Sequence, residues 1–491
     1  MSNQKKNDFW SSPLTRTKIK DSNVKMPEML LGYFIGPFGA LLSSGIFTSI
    51  LQNYFTDVLK LDLTFLTTLQ LLSTILIVAA NLIVGQLIER TRTMAGKARP
   101  WILLSALTLS VASVLMFVVP FEGTAKMVWV AIAYNLYYAV AYPIYNTANS
   151  TLVPVSTRDS QKRGALASFT NMAGLGVMGV GSMVFPILVS FALKENQGLW
   201  FIAMLAVAIF TALTIYLQFM FTRERVTEEL MENENPDGEE TVKAASIKEQ
   251  FRAVTSEKMW WIAILFYMVF QWSGALKNGS MSYFCKWVLD NTFFGSADAW
   301  GASQSLLSIL GAIPMALAAV VVVPLANKFN KRVVVFGGMV VGVFGGVIAG
   351  FGNGNIVPVA VGVALKCLGS APAAYLILAM LADVIDHIEF KNKIRTDGLT
   401  MSIYSSIMVA GTPIMNAIFS AVLKASGYLQ GADVALGTVA QQAGTQMAIG
   451  VSYIWVETIA YAICAVLIFM FTVEKNLPEE QAAIAARKTN K

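Results

Sequence analysis

Long apolar stretches with almost no charged residues dominate this chain of 491 residues. A helix that crosses a bilayer needs about 20 such residues, because hydrocarbon offers no water to open backbone groups. Only 13% of the residues are charged, against about 25% in an average soluble protein, so a soluble chain is excluded. We predict an all-α polytopic membrane protein with twelve transmembrane helices, at residues 29–55, 65–88, 101–120, 127–153, 165–192, 199–221, 259–284, 303–324, 333–351, 356–381, 399–423 and 449–472.

The basic residues between these stretches predict the orientation of the chain. Of the 36 Lys and Arg residues, 29 lie in the two ends and in alternate connections, and five lie in the connections on the opposite side. Because cytoplasmic loops are enriched in Lys and Arg, we predict that both termini are cytoplasmic. The basic residues are spread over seven short stretches, so no nucleic-acid-binding domain is expected.

An acidic polar segment divides the predicted spans into two sets of six. It covers residues 222–258 and is predicted to be a cytoplasmic linker, with an amphipathic surface helix over residues 247–258. Two six-helix halves fit the plan of major facilitator transporters, which enclose a midplane site. The predicted organisation is a basic leader (1–28), an N-terminal six-helix bundle (29–221), the linker (222–258), a C-terminal six-helix bundle (259–472) and a cytoplasmic tail (473–491).

The sequence offers no pattern for catalysis or for a bound cofactor. Cys285, Cys367 and Cys464 are widely spaced and match neither a disulfide framework nor a metal site. The single histidine, His387, lies at the end of a predicted span, and the spans contain no catalytic constellation. We therefore expect no enzyme, no metal site and no cofactor apart from Na⁺ or H⁺ as a coupling ion, and no oligomer is implied.

Four stretches carry a family resemblance. They are Tyr54-Phe-Thr-Asp-Val-Leu, Gly96-Lys-Ala-Arg-Pro-Trp-Ile-Leu, Leu152-Val-Pro-Val and Ala382-Asp-Val-Ile-Asp-His-Ile-Glu-Phe-Lys-Asn-Lys-Ile-Arg-Thr-Asp-Gly. With them the chain resembles the glycoside-pentoside-hexuronide cation symporters, the melibiose permease branch of the major facilitator superfamily. The resemblance implies a secondary transporter that imports a glycoside by alternating access.

Charged residues in and near these stretches are predicted to form a cytoplasmic gate. Basic residues of the first half would face acidic residues of the second half and separate from them as the halves rock. The alternative is that these charges serve only topology and solubility. The predicted gate residues are Arg92, Lys97, Arg99, Asp383, Asp386, Glu389 and Arg395.

The charged site residues of the resembled family have no counterpart here. Alignment through the matching stretches puts neutral residues at the family's aspartates, namely Leu41, Ile77, Asn81 and Asn146, and all six predicted spans of the first half lack Asp, Glu, Lys and Arg. A hard cation such as Na⁺ prefers oxygen ligands, and carboxylates normally supply the compensating charge. The family's cation site is therefore not reproduced, and the coupling ion stays open.

Neutral polar side chains remain as candidates for a sugar site. On the fourth span, Tyr134, Tyr138, Tyr142, Tyr145 and Asn149 share a helical stripe about 80° wide. Tyrosine and amide groups offer hydrogen-bond partners and ring faces to a polyhydroxylated solute, and the alternative is helix–helix hydrogen bonding. The predicted neutral binding residues are Gln52, Tyr138, Tyr142, Tyr145, Asn146, Asn149, Asn171, Gln271 and Asn278.

The second half carries three charges inside its predicted spans, Lys277, Lys366 and Glu457. A lysine at the bilayer centre costs about 2.5–3.5 kcal/mol unless it meets water or a counter-ion. Lys277 could extend to the membrane surface, and Lys366 could pair with Glu457 or with an anionic substrate. Two lysines favour a hexuronide or another carboxylated glycoside as substrate, with Lys277 or Lys366 as its partner.

Two rival functions stay open. They are a lipid or drug transporter of the same fold and a uniporter or exchanger of neutral oligosaccharides. In each case we predict a multi-pass protein of the cell membrane whose partners are the lipid bilayer and a small-molecule substrate, with a sugar as the expected substrate.

Overall fold

The computed structural model describes residues 10, 12–157, 159–232, 247–296, 299–352, 354–392, 396–430, 441–480 and 482–483. Apart from one β-bridge between Thr93 and Gly96, the regular structure of these residues is helical, as predicted. The long helices are α1 (Met26–Val58), α2 (Leu63–Arg90), α3 (Arg99–Leu115), α4 (Gly123–Ser156), α5 (Ser160–Leu188), α6 (Gln197–Met220), α7 (Lys258–Trp287), α8 (Trp300–Phe329), α9 (Lys331–Gly350), α10 (Ile356–Asn392), α11 (Asp397–Ala425) and α12 (Ala443–Lys475).

Within the described ranges, ten helices are long and apolar enough to cross a membrane. They are α1, α2, α4 and the seven helices from α6 to α12. The helix α3 and the segment Gly181–Leu193 are apolar but shorter. The chain is therefore polytopic, while the count of twelve spans and the side of the termini stay predictions.

Segments of π-helix lie within several of these helices. They are Met29–Ile35 and Tyr54–Val58 in α1, Leu136–Ala141 in α4 and Val451–Trp455 in α12. A π turn holds more residues than an α turn, so side chains that follow it are rotated from the positions that an ideal α-helix predicts.

The helix α1 is longer than the predicted span over residues 29–55 and includes two acidic residues. Glu28 lies in its first turn and Asp57 in its last π-helical segment, and both side chains are buried. Arg225 forms an ion pair with Glu28 at 2.8 Å. The prediction that the first six helices lack charged residues is therefore wrong at their ends, because the helical hydrogen bonding continues past the apolar stretch.

The described residues of the chain group into two compact units. The first is drawn from residues 1–51, 71–185 and 192–238, and the second from residues 52–70, 186–191 and 239–491. In the first unit, α3 packs against α4 and α6; in the second, α9 packs against α10 and α12, and α7 packs against α11 and α12. Residues 52–70, which comprise the end of α1, the connection and the start of α2, belong to the second unit.

Small residues bring α9 and α10 close together. A Cβ atom added to Gly345 would lie 2.7 Å from the backbone oxygen of Gly362, and a Cβ on Gly362 would clash with the backbone oxygen of Gly345. Close backbone approach through small residues is a common means of helix association in membranes. These two glycines therefore fix the distance between the helices that carry part of the candidate site.

A glutamate closes the N-terminus of α3 in the first unit. Glu224, which follows α6, accepts hydrogen bonds of 2.7–2.8 Å from the backbone N–H groups of Lys97, Ala98 and Arg99. The first N–H groups of a helix have no partner within the helix, and a carboxylate is favoured there. Gly96 has a φ of 106°, and an added Cβ would lie within 2.6 Å of both carboxylate oxygens. This contact explains why a glycine opens the second resembling stretch.

The second unit repeats this arrangement at α9. Glu474 accepts hydrogen bonds of 3.0 Å from the backbone N–H groups of Lys331 and Arg332. Asn330, just before α9, has a φ of 70°. The two glutamates occur in similar short sequences, Phe219-Met-Phe-Thr-Arg-Glu-Arg and Phe469-Met-Phe-Thr-Val-Glu-Lys.

Two short helices lie in and beside the predicted linker. They are Arg225–Glu232 and Ile247–Thr255, and the second corresponds to the helix predicted over residues 247–258. Residues 233–246 of the linker lie outside the described part of the chain.

Candidate substrate-binding site

Three charged side chains of the second unit meet between its helices. Lys366 on α10 places Nζ 2.5 Å from Oε2 of Glu457 on α12, and Lys277 on α7 places Nζ 3.9 Å from Oε1. Tyr461 donates a hydrogen bond of 3.0 Å to Oε1, and Lys366 donates one of 3.2 Å to the backbone oxygen of Ile454. One carboxylate serves two ammonium groups, so this lysine–glutamate cluster carries a formal charge of +1.

The cluster offsets the free-energy cost of inserting the two lysines into a membrane. Removal of one partner from a buried ion pair costs about 3–5 kcal/mol, because the other charge is left uncompensated. Of the two alternatives for Lys366, the structure forms the pair with Glu457, while a role in substrate binding stays a prediction. The amine of Lys277 lies beside the same carboxylate, so Glu457 stabilises both lysines.

The members of the cluster differ in accessibility. The side chains of Lys366 and Glu457 are 4% and 3% exposed, whereas that of Lys277 is 22% exposed. A cavity of about 10 Å³ touches all three, which is room for about one water molecule. Lys277 is therefore the most accessible member of the cluster, and it is also the more loosely paired lysine.

Two members of the tyrosine stripe on α4 make hydrogen bonds to α6. Tyr145 donates a bond of 3.2 Å to Oε1 of Gln218, and Gln218 donates a bond of 2.6 Å to Oδ1 of Asn149. These contacts are helix–helix hydrogen bonds, the alternative interpretation of the stripe. Asn146, between them in sequence, is partly buried. Substrate contacts of these three α4 residues stay a prediction.

The other members of the stripe lie at a π-helical segment. Tyr138 belongs to the segment Leu136–Ala141, and Tyr142 follows it directly. The ring of Tyr138 packs 4.6 Å from that of Tyr134, and Ser44 donates a hydrogen bond of 3.4 Å to the hydroxyl of Tyr142. Both Tyr138 and Tyr142 keep accessible surface. Segments of π-helix are frequent at functional sites, which is consistent with the predicted role of these two rings.

Three further candidates lie in different environments of the second unit. Gln52 is buried, donates a hydrogen bond of 2.6 Å to Oγ of Ser420 and accepts one of 2.8 Å from Gln70. Its amide is therefore already engaged by protein groups. On α7, Gln271 is partly buried and Asn278 is exposed.

Sequence reasoning missed a polar network around Asp57, near the end of α1. Lys286 places Nζ 2.7 Å from Oδ2, and Asn53 donates a hydrogen bond of 3.2 Å to the same oxygen. Thr56 and Tyr428 donate to Oδ1 at 3.2 and 2.9 Å. The carboxylate belongs to the second unit, and Asp57 is only 3% exposed. Two features of the sequence could have indicated this network. They are the acidic residue at the end of an apolar stretch and Lys286, one of the few basic residues on the side predicted to be extracellular.

Two of the predicted gate residues, Asp383 and Arg99, have partners within their own units. Asp383 is buried and forms an ion pair of 2.5 Å with Lys331, and the guanidinium of Arg99 donates to the backbone oxygens of Ala95 and Phe219. Arg92 is exposed, and Lys97, Asp386 and Glu389 are partly buried. The side chain of Asn171 on α5 and the whole of Arg395 lie outside the described residues. A gate between the two halves therefore stays a prediction.

Comparisons with known proteins agree with the helical architecture. A family model described as MFS/sugar transport protein matches residues 32–475. The isoprimeverose transporter of Lactiplantibacillus pentosus is 27% identical over 96% of this chain and 94% of its own length. A putative 2,3-dihydroxypropane-1-sulfonate exporter of Salmonella typhimurium is 22% identical over 87% of this chain and 90% of its own. The crystal structure of the nucleoside transporter NupG covers 91% of this chain and 98% of its own, with 13% identity and a TM-score of 0.60.

Proposed function

Because the chain belongs to the MFS/sugar transport family, we propose that it is a secondary transporter that moves an acidic glycoside, such as a hexuronide, by alternating access. It is a multi-pass protein of the cell membrane and a transporter, not an enzyme. The proposed topology has twelve spans, with both termini in the cytoplasm. The observation that carries the choice of substrate is the lysine–glutamate cluster of the second unit.

The cluster has one positive charge more than it has negative charge. Glu457 lies 2.5 Å from Lys366 and 3.9 Å from Lys277, so Lys277 interacts more weakly with the carboxylate. A solute carboxylate beside Lys277 brings the formal charge of the site to zero, and hydrogen bonds between charged groups are stronger than neutral ones. The sugar hydroxyls then bind neutral groups, for which Gln271 of the same unit is a proposed partner.

The charge of such a solute bears on how its transport is driven. Movement of one negative charge into a cell that is negative inside costs about 2.3 kcal/mol per 100 mV. Co-transported cations offset this cost, and we propose H⁺ or Na⁺ in this role. Exchange against an internal anion avoids the cost and is the alternative.

A neutral glycoside is the second candidate substrate. It is favoured by the relative named isoprimeverose transporter, since isoprimeverose is a neutral disaccharide, and by the neutral side chains of α4. The relative named as an exporter of a sulfonate favours an anionic solute instead. In the neutral case, the lysine–glutamate cluster is structural and does not contact the sugar.

Uptake by proteoliposomes that contain the purified protein separates the two candidates. The substrate pair is methyl glucuronide and methyl glucoside, which differ only at C6, a carboxylate in the first and a hydroxymethyl group in the second. Uptake of each is measured with and without Na⁺ and proton gradients. Lys277→Gln is expected to raise the KM for the glucuronide about 10- to 100-fold, because a hydrogen bond to a charged group is worth about 1.5–3 kcal/mol. The KM for the glucoside should stay within about twofold, since that sugar makes no charged contact.

Lys277→Arg is the matched variant, because it keeps the positive charge at the same position. It should retain the preference for the glucuronide. An equal loss for both sugars in Lys277→Gln, or preferred uptake of the glucoside by the unmodified protein, would contradict an acidic substrate and leave a neutral-sugar transporter.

A further inference from the structure

A cavity of about 520 Å³ opens on the first unit, beneath the leader. It lies between the leader, the turn that joins α2 to α3 and the residues after α6. The basic residues of this face predict that it is cytoplasmic. It belongs to a different unit from the lysine–glutamate cluster. The proposed transport cycle does not use it, and one predicted gate residue, Arg99, lines it.

The leader is held in place over this cavity by specific contacts. The backbone N–H of Lys18 donates a hydrogen bond of 2.8 Å to the backbone oxygen of Met220, and the hydroxyl of Thr17 donates one of 2.9 Å to the backbone oxygen of Thr222. Tyr216 donates a bond of 3.0 Å to the backbone oxygen of Leu14. The cavity is therefore bounded by an ordered segment on one side and by helix ends on the other.

The described residues that line the cavity carry an excess of positive charge. Four of them are basic, namely Arg16, Lys20, Arg99 and Arg223, and one is acidic, Glu228. Arg223 already binds Glu228 through two nitrogens, at 2.8 and 3.1 Å. The remaining three cations have no acidic partner within ion-pair distance among the described residues, so the lining carries a formal charge of +3.

Arg99 is the deepest of these cations. It is 3% exposed, and its guanidinium donates to the backbone oxygens of Ala95 and Phe219 at 3.1 and 3.0 Å and lies 4.6 Å from the Phe219 ring. These contacts use only part of the five N–H donors of a guanidinium. The Glu224 carboxylate, which accepts from the backbone N–H of Arg99, attracts this cation without forming an ion pair with it. Guanidinium groups match phosphate oxygens in geometry, so the remaining donors of Arg99 suit a phosphate.

The apolar part of the lining indicates which kind of phosphate would bind. Trp10, Ile19 and Met94 also line the cavity, and Met94 is 72% exposed. A phosphate ester with a hydrocarbon portion satisfies both parts of such a lining. Basic pockets on the cytoplasmic side of membrane proteins commonly bind anionic lipid headgroups. We propose that this cavity binds the phosphodiester headgroup of an anionic phospholipid from the cytoplasmic leaflet.

Native mass spectrometry of the full-length protein in detergent tests the proposal. Phosphatidylglycerol and phosphatidylcholine of the same acyl chains are added in turn, and retained lipid is measured. The unmodified protein should retain phosphatidylglycerol selectively. Arg16→Gln combined with Lys20→Gln should weaken that binding about 30-fold, from the effect expected for two basic residues at a lipid headgroup.

Lys248→Gln combined with Arg252→Gln is the matched control, because it removes the same charge from the exposed surface helix Ile247–Thr255. Its binding of phosphatidylglycerol should stay within about twofold of the unmodified protein, since the charge lies outside the cavity. Equal losses in the two double variants, or equal retention of the two lipids, would overturn the proposal. Glycerol 3-phosphate is the third ligand. If it binds as tightly as phosphatidylglycerol, the occupant is a soluble phosphate ester, and the proposal of a lipid headgroup is overturned.

Discussion

The two units are alike where helices begin and different where helices carry buried polar groups. Glu224 in the first unit and Glu474 in the second each close the start of a helix through backbone N–H groups. Inside the helices, the first unit joins α4 to α6 by the neutral side chains of Tyr145, Gln218 and Asn149, whereas the second unit contains the lysine–glutamate cluster. The helix-closing glutamates occur in both units and stabilise the scaffold. The lysine–glutamate cluster occurs in one unit, so it is the better candidate for substrate selectivity.

The largest expected effect comes from removal of the carboxylate that the two lysines of the second unit share. Glu457→Gln leaves Lys366 and Lys277 without their shared carboxylate, and we expect a loss of about 3–5 kcal/mol in the free energy of unfolding. Thermal and denaturant unfolding of the purified protein in detergent measure this loss. If the two units differ in this way, no neutral substitution in the α4–α6 network lowers the free energy of unfolding by this amount.

A second variant shows whether the loss arises from uncompensated charge. Lys366→Met combined with Glu457→Gln removes both members of the tight pair, and it should recover part of the stability, because only the more exposed Lys277 then lacks a partner. If the double variant is less stable than Glu457→Gln by the full cost of a second independent mutation, Lys366 and Glu457 are not coupled.

An intermediate effect is expected at the two helix-closing glutamates. Glu224 accepts three backbone hydrogen bonds and Glu474 accepts two. Since hydrogen bonds to a charged group are worth about 1.5–3 kcal/mol and neutral ones about half of that, Glu224→Gln should cost about 2–4.5 kcal/mol and Glu474→Gln about 1.5–3 kcal/mol. The unfolding midpoints of the two variants make the comparison.

Glu228→Gln is the control for these two variants. Glu228 is paired with Arg223, but its side chain is 34% exposed, and ion pairs with this exposure contribute little, about 0–1 kcal/mol. A loss in Glu228→Gln as large as that in Glu224→Gln would mean that general charge on this face, and not the closure of α3, is what stabilises the protein.

The smallest effect is expected in the neutral network of the first unit. Gln218→Leu removes the hydrogen bonds to Tyr145 and Asn149, and such bonds in membranes contribute about 0.6 kcal/mol each, so the expected loss is about 1 kcal/mol. A double-mutant cycle between Gln218→Leu and Asn149→Ala measures the coupling directly. A coupling above about 2 kcal/mol would exceed the range for such bonds and remove the contrast between the units.

Much of the fold could be predicted because lipid constrains sequence strongly. Apolar length alone locates most of the long helices within about six residues at each end, whereas α10 continues to Asn392, well past the predicted end at residue 381. The predicted surface helix forms over Ile247–Thr255. Lys366 and Glu457 could be recognised as partners because an unpaired charge inside a span is costly. The choice between a pair and a ligand could not be made, since residue spacing does not reveal which faces of α10 and α12 meet.

Other features depend on geometry that the sequence does not express. The π-helical segments at Leu136–Ala141 and Tyr54–Val58 rotate the side chains that follow them, so a stripe projected on an ideal helix is displaced. Asp57 lies beyond the predicted span 29–55, because the apolar stretch ends before it, although the helix continues to Val58. The repeated glutamates, in contrast, are visible in the sequence as two similar heptapeptides 250 residues apart, and a search for short repeats would find them.

The assignment of residues 52–70 to the second unit has a consequence for work with fragments. A fragment that begins after the linker contains Lys286 and Tyr428 but lacks Asp57, whose carboxylate both of them contact. Such a fragment is incomplete in its own interior, although it contains every helix from α7 to α12. Two co-expressed halves that are divided at the linker therefore carry Asp57 and its partners on different chains. Residues 52–70, more than the long linker, thus determine where the gene can be divided.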